Sequence, residues 1–313
     1  MLHVDKVDSL QTEIVHISAS GLDNFQCYKF YLKFHYFAGS YHSYCVVQSD
    51  DDGFIDLARD KPVRGTYHES DSMGLFLTLQ PSQEVRFGHN AGNNKAKPFY
   101  YTLQLISNSG AVLDQVNLRK LWIHPMVTQI EVAQDGIHGI IFKPPGPGPF
   151  PCIIDVPGIN GGLSYGRAAL FSAEGYLVYT LASFGYKDLP KKMEDVDLEI
   201  FSASLDDWLL CGVTNCKRIQ ENLEKTGHNV EIQLVPGGHV MYAPYLPQVS
   251  VGYNKYHKFY LGYGGECSLE TKSMMNVFAK TLEFFEKHLG SPAKLPDYKR
   301  EIEIVLPSRG SKL

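Results

Sequence analysis

The chain has 313 residues, 44% hydrophobic and 20% charged, which gives enough apolar material for a real core and enough length for two domains. Its 34 acidic and 29 basic residues leave a net charge of −5, which excludes the strongly basic balance of a nucleic-acid binder. No apolar run approaches the roughly 18 residues that span a bilayer, so no membrane span is expected.

The opening residues lack a basic segment followed by an apolar block, so no secretory signal is read. Six scattered cysteines in a chain this long read as reduced thiols rather than staples. The first 135 or so residues predict an antiparallel β domain. Strands are expected at 12–19, 27–38, 44–48, 54–57, 73–79, 99–108, 112–122 and 128–132, separated by Gly, Asn, Asp and Ser clusters. Such regular spacing points to a sandwich. The run from Cys27 alternates apolar and polar residues imperfectly, as a strand with one well-buried face does.

The pattern changes at Lys143-Pro-Pro-Gly-Pro-Gly-Pro-Phe-Pro151, a Pro/Gly connector or turn. A buried-type strand from Cys152, a glycine loop at 158–162, a helix from Arg167 and a second strand at 176–182 follow. Together they spell a βαβ unit of a parallel sheet. A helix is predicted at 213–225, a strand at 229–235 and a long amphipathic helix over 269–289, closing at Gly290.

Chemistry concentrates at Pro236-Gly-Gly-His239, a glycine turn directly after the expected strand at 229–235. An imidazole, with an ordinary pKa near 6.5, can take and return a proton there. Upstream, Asp206 and Asp207 stand in the order that a histidine-orienting acid requires. From these residues alone two readings stay open. His239 is either a catalytic base or a turn residue, and the aspartates either orient it or favour a helix start. Gly162-Leu-Ser164-Tyr-Gly166 has the literal spacing of a nucleophile elbow, but that motif counts only directly after a strand. A glycine loop intervenes here, so Ser164 is a weak nucleophile candidate. Cys211 and Cys216 lack the second ligand pair of a zinc site. No metal or cofactor is implied.

Several motifs carry a resemblance. In order they are Asp52-Gly-Phe-Ile-Asp-Leu-Ala-Arg-Asp60, Gly65-Thr-Tyr67, Asp71-Ser-Met-Gly-Leu-Phe76, Asp155-Val-Pro-Gly-Ile-Asn-Gly-Gly-Leu163, Arg167-Ala-Ala-Leu170, Lys187-Asp-Leu-Pro190, Pro236-Gly-Gly-His239 and Pro244-Tyr-Leu-Pro247. With Gly264-Gly265 and the run Leu282 to Gly290, they resemble the type I acyl-CoA thioesterase and bile acid-CoA:amino acid N-acyltransferase family. The resemblance implies an immunoglobulin-like β-sandwich (1–135), a connection (136–143), a truncated α/β-hydrolase domain (144–306) and a tail (307–313). It implies a serine-esterase type of chemistry on an acyl-CoA substrate, which gives free fatty acid and CoA, or transfer of the acyl group to an amino acid. His239 then matches the family's triad histidine and Asp207, with Asp206 as rival, its acid. Gly161 and Gly162 match the oxyanion loop.

The family's nucleophile elbow should lie between Lys187-Asp-Leu-Pro190 and the acid. Here Phe201 runs almost at once into Ser202-Ala-Ser-Leu-Asp206, so on the order of a hundred residues, about three βα units, are missing. Impaired hydrolysis is expected, with an inactive acyl-CoA or partner binder as the alternative. The terminal Ser311-Lys312-Leu313 has the form of a peroxisomal address, which makes an import receptor the expected partner and the peroxisome the expected location.

Overall fold

The computed structural model describes residues 1–36, 39–82, 96–134, 137–156, 161–189, 191, 212–225, 227, 232–239, 243–247, 251–254, 258–265 and 267–297. Contacts gather the chain into two units. The first draws on 1–92, 98–120 and 201–278, the second on 93–97, 121–200 and 279–313.

The first unit is rich in β-structure. Its strands are β1 (Leu2–Val4), β2 (Asp8–Leu10), β3 (Ile17–Ala19), β4 (Cys27–Tyr36), β5 (Gly39–Gln48), β6 (Ile55–Asp56), β7 (Arg64–Gly65), β8 (Gln80–Pro81), β9 (Phe99–Ile106) and β10 (Val112–Leu121). They form a three-stranded sheet in the order β1-β3-β6 and a seven-stranded sheet in the order β2-β10-β9-β4-β5-β7, with β8 also on β5. The long pairs are antiparallel, with Tyr31 opposite Tyr44 and Phe34 opposite Tyr101. Alternation along β4 is clean: Tyr28, Phe30, Leu32 and Phe34 are buried and the residues between them are not. Phe34 packs its ring against Phe99 (4.8 Å) and Tyr101 (4.9 Å), and Phe76 meets Tyr101 edge-on.

Phe76 sits on α1 (Gly74–Leu77), a single buried helical turn where the sequence predicts a strand. A short apolar run fits either element, and here four consecutive buried residues suit a turn of helix packed on a sheet. Two buried polar side chains tie distant segments together. Lys120, 1% exposed, donates from Nζ to the carbonyls of Leu10 (3.1 Å) and Glu13 and lies 5.6 Å from both the Phe76 and Tyr245 rings. Gln11, fully buried, donates to the Pro244 carbonyl at 2.8 Å.

The unit also holds α3 (Gly212–Lys225) and a small hairpin, β15 (Val251–Asn254) with β16 (Phe259–Gly262). Helix α4 (Cys267–Leu289) begins there, with Glu270, Thr271 and Met274 buried, and closes at Gly290, whose N–H donates to Glu286 O at 3.0 Å. The strand predicted at 229–235 is absent over 232–235; its first residues lie outside the described set.

The second unit is an α/β layer. It contains β11 (Thr128–Gln134), β12 (Ile137–Lys143), β13 (Cys152–Asp155), α2 (Tyr165–Ala173) and β14 (Leu177–Ala182), in the sheet order β11-β12-β14-β13. Among the described strands only β13 and β14 run parallel, joined through α2 as the βαβ reading expects. Residues 137–143, read from sequence as a connection, are the strand β12, and the strand predicted at 128–132 pairs with it as a hairpin. The hairpin is a local pairing, but β12 also pairs with β14 some forty residues on, which is not local information. Among the described residues β13 pairs only with β14, and its Ile154 is 65% exposed. The second half of α4 packs here, Phe285 against Phe171 (5.3 Å) and Tyr176 (5.7 Å). Among the described residues no helix is long and apolar enough to cross a membrane.

Candidate functional site

His239 follows the buried residues Gly237 and Gly238 in the first unit. Its backbone N–H donates to Tyr263 O at 2.7 Å, and its ring stacks on the Tyr263 ring with centroids 5.6 Å apart. The turn admits no side chain before the histidine: a Cβ on Gly238 would lie 2.7 Å from Gly264 O and 2.8 Å from Tyr263 O, both backbone atoms. From the other side Ser273 of α4 donates its hydroxyl to Pro236 O. Burial pushes the Tyr263 phenol pKa up, so the ring beside the imidazole is neutral across the physiological range.

Tyr263 has its place because Gly252 on β15 leaves room. A Cβ at Gly252 would stand 2.1 Å from Tyr263 Cε2. Gly252→Ala is therefore expected to swing that ring off the imidazole while leaving the hairpin paired, since a ring end can rotate away. The check is the His239 ring resonance in an NMR pH titration, with thermal stability moving by no more than about 1 kcal/mol.

Gly161, Gly162 and Ser164 lie in the second unit, beyond the carboxyl end of β13, the end of a parallel pair where α/β sheets bind ligands. Gly161 has φ +60° and a Cβ there would meet Phe184 O at 2.6 Å, so only glycine fits. The Gly162 N–H donates to that same carbonyl at 2.8 Å. The Gly162 amide, one of the two predicted oxyanion donors, is thus committed to the fold.

Ser164 caps the start of α2 and sits in a loop rather than on a strand-to-helix elbow. Its N–H donates to Thr180 Oγ1 at 3.1 Å. Ser164 lies near enough to Asp155 to act on the pKa of that carboxyl. Burial raises the Asp155 pKa, while Arg167, whose guanidinium stands 2.9 Å from Asp155 Oδ1, and Ser164 pull it back. Asp206, Asp207, Ser311, Lys312 and Leu313 lie outside the described residues.

One pair escaped the sequence reading. His138 Nε2 lies 2.6 Å from Asp188 Oδ1, with an alignment too poor for a hydrogen bond, and the ring meets Tyr186 edge-on. Asp188 belongs to the Lys187-Asp-Leu-Pro190 motif, but nothing local marks His138 as its neighbour.

Residues 12–134 match the family model for the acyl-CoA thioester hydrolase/BAAT N-terminal region, and 191–291 match the model for the BAAT/acyl-CoA thioester hydrolase C terminus. The chain belongs to this family. It is 34% identical to mouse (Mus musculus) bile acid-CoA:amino acid N-acyltransferase over 210 residues, 64% of this chain and 50% of that protein. The human (Homo sapiens) protein of the same name shares 35% over 205 residues, 62% and 49% of the two chains. Mouse acyl-coenzyme A thioesterase 1 shares 30% over 170 residues, 53% and 40%. The chain spans about half the length of the curated relatives it matches.

Proposed function

We propose that this chain is an acyl-CoA-binding member of its family whose thioester hydrolysis is impaired for want of a nucleophile. The single observation behind it is the place of Ser164. The one serine with elbow spacing starts α2 after a glycine loop instead of following a strand directly, while His239 lies in the turn where the family keeps its triad histidine. In this reading His239 is a surviving general base with Asp207 as its acid, and the Gly161 N–H is the remaining oxyanion donor. The first unit is read as an immunoglobulin-like sandwich and the second as a truncated α/β-hydrolase layer. Its sheet of four described strands, with one parallel pair, supports that reading. The names of its relatives make an amino-acid N-acyltransferase the second reading of the lineage. Ser311-Lys312-Leu313 supports a peroxisomal address read by an import receptor. A fluorescent tag placed before residue 1 should then give punctate cells, and a tag after Leu313 should not.

Equilibrium dialysis with a radiolabelled long-chain acyl-CoA tests the binding. Retention of the thioester above that of CoA alone is expected. Equal retention of both would end the acyl-CoA reading.

A further inference from the structure

The outer face of the seven-stranded sheet is unusual in charge. Strands β4, β5, β7 and β9 contain no Asp or Glu at all. Because the buried set on β4 is Tyr28, Phe30, Leu32 and Phe34, the period of two turns Lys29, Tyr31 and Lys33 outward. Cross-strand partners share a face, so Lys29 and Arg64 flank the buried Val46 in one row and Lys33 pairs with His42 in another. Between the rows Tyr31 and Tyr44 stand opposite each other. A strand of ten residues extends this face over roughly 33 Å. The local field is felt by His35, whose pKa is lowered first by burial and then by Lys33.

We propose that this face docks on an anionic lipid surface. The rings decide against a nucleic-acid strand, which would need bare aromatic faces to stack its bases. Lys29 Nζ lies over Tyr31 at 5.0 Å and over Tyr44 at 4.7 Å, and Tyr31 also stacks on His42, so those faces are taken. A membrane surface asks instead for ammonium groups and phenols at headgroup depth, with apolar side chains to insert beside them. Two such side chains flank the Lys29 end: Val63, 62% exposed, next to Arg64, and Phe25, 61% exposed, two residues before β4. The chain's net charge of −5 opposes any approach to an anionic surface, so attraction has to come from this local patch. The proposal does not depend on the acyl-CoA reading.

Co-sedimentation of the full chain with vesicles tests it. Vesicles with a third phosphatidylserine should bind, and pure phosphatidylcholine vesicles should bind far less. Added salt should release the protein. Lys29→Gln/Lys33→Gln should weaken binding about thirtyfold, roughly five- to sixfold per lysine. Arg64→Gln, remote from the Tyr31 ring, should weaken it severalfold with an unchanged circular dichroism melt. Val63→Ser/Phe25→Ser should weaken it without altering the salt dependence. Equal binding to neutral and anionic vesicles, or binding indifferent to both charge variants, overturns the proposal. So does a uridine-rich oligonucleotide that binds with the same dependence on Lys29 and Lys33 while vesicles do not.

Discussion

Free thiol released from a long-chain acyl-CoA by this chain is expected to appear about a millionfold more slowly than from a family member with an intact triad, the cost of removing a triad nucleophile. That factor corresponds to roughly 8 kcal/mol of transition-state stabilisation. On the proposed reading the imidazole would act only on water, and one oxyanion N–H at Gly161 would recover a small part of the loss. Ser164→Ala separates the alternatives. The variant should hydrolyse at the wild-type residual rate, because the serine starts α2 beyond a glycine loop rather than on an elbow, and its N–H, which bonds Thr180, survives the change. A rate that falls tenfold or more in Ser164→Ala would make Ser164 the nucleophile and would sink the impaired reading. The chromogenic thiol assay reads both outcomes.

Lys120 sets the second large effect, on stability. Burial pushes its ammonium down to about 7, against about 10.4 for a lysine in an unfolded chain. Between those values the unfolded chain holds more protons, so stability from this group rises with pH over that window and the burial penalty is greatest below 7. The relief is on the order of 4 kcal/mol at most. The Cys45 thiol, pushed up to about 12 by burial, works in the opposite direction once unfolded thiols ionise above about 8.5. The difference between wild type and Lys120→Met isolates the lysine. The denaturation midpoint of the wild type should gain on that of the variant steadily from pH 7 to 10. At pH 7 itself the two should lie within about 2 kcal/mol, since the variant escapes the buried charge but loses the ammonium's bonds to the Leu10 and Glu13 carbonyls. A midpoint difference flat with pH would mean that the lysine is charged throughout.

What could be read from sequence was what local periodicity and caps encode. The helix predicted from Arg167 is there as α2, and those predicted at 213–225 and 269–289 are there within two residues; a glycine follows each, and α4 carries the apolar stripe. The alternation in β4 was legible because each inward aromatic is separated by one outward residue. Illegible were the features created by contact between distant segments. The turn of helix at Gly74–Leu77 depends on a sheet to pack against, and the hairpin of β11 and β12 joins the second sheet only because β14 lies beside β12. At the site the glycine turn and its histidine were visible, but not Tyr263, which the histidine stacks on, nor Gly252, which makes room for it. The commitment of the Gly162 N–H to Phe184 could not be seen either, for a glycine-rich loop announces freedom and not which amides the fold spends.

The hydrogen bond from the Gln11 side chain to Pro244 O joins residues 233 apart, and residues 201–278 belong to the same unit as residues 1–92. That contact can form only after residue 244 has left the ribosome, long after the strands Leu2 to Leu121 have been made. Chaperone occupancy on the nascent protein should persist until late in translation, and cutting the gene after residue 135 should give a product that is degraded rather than a stable module.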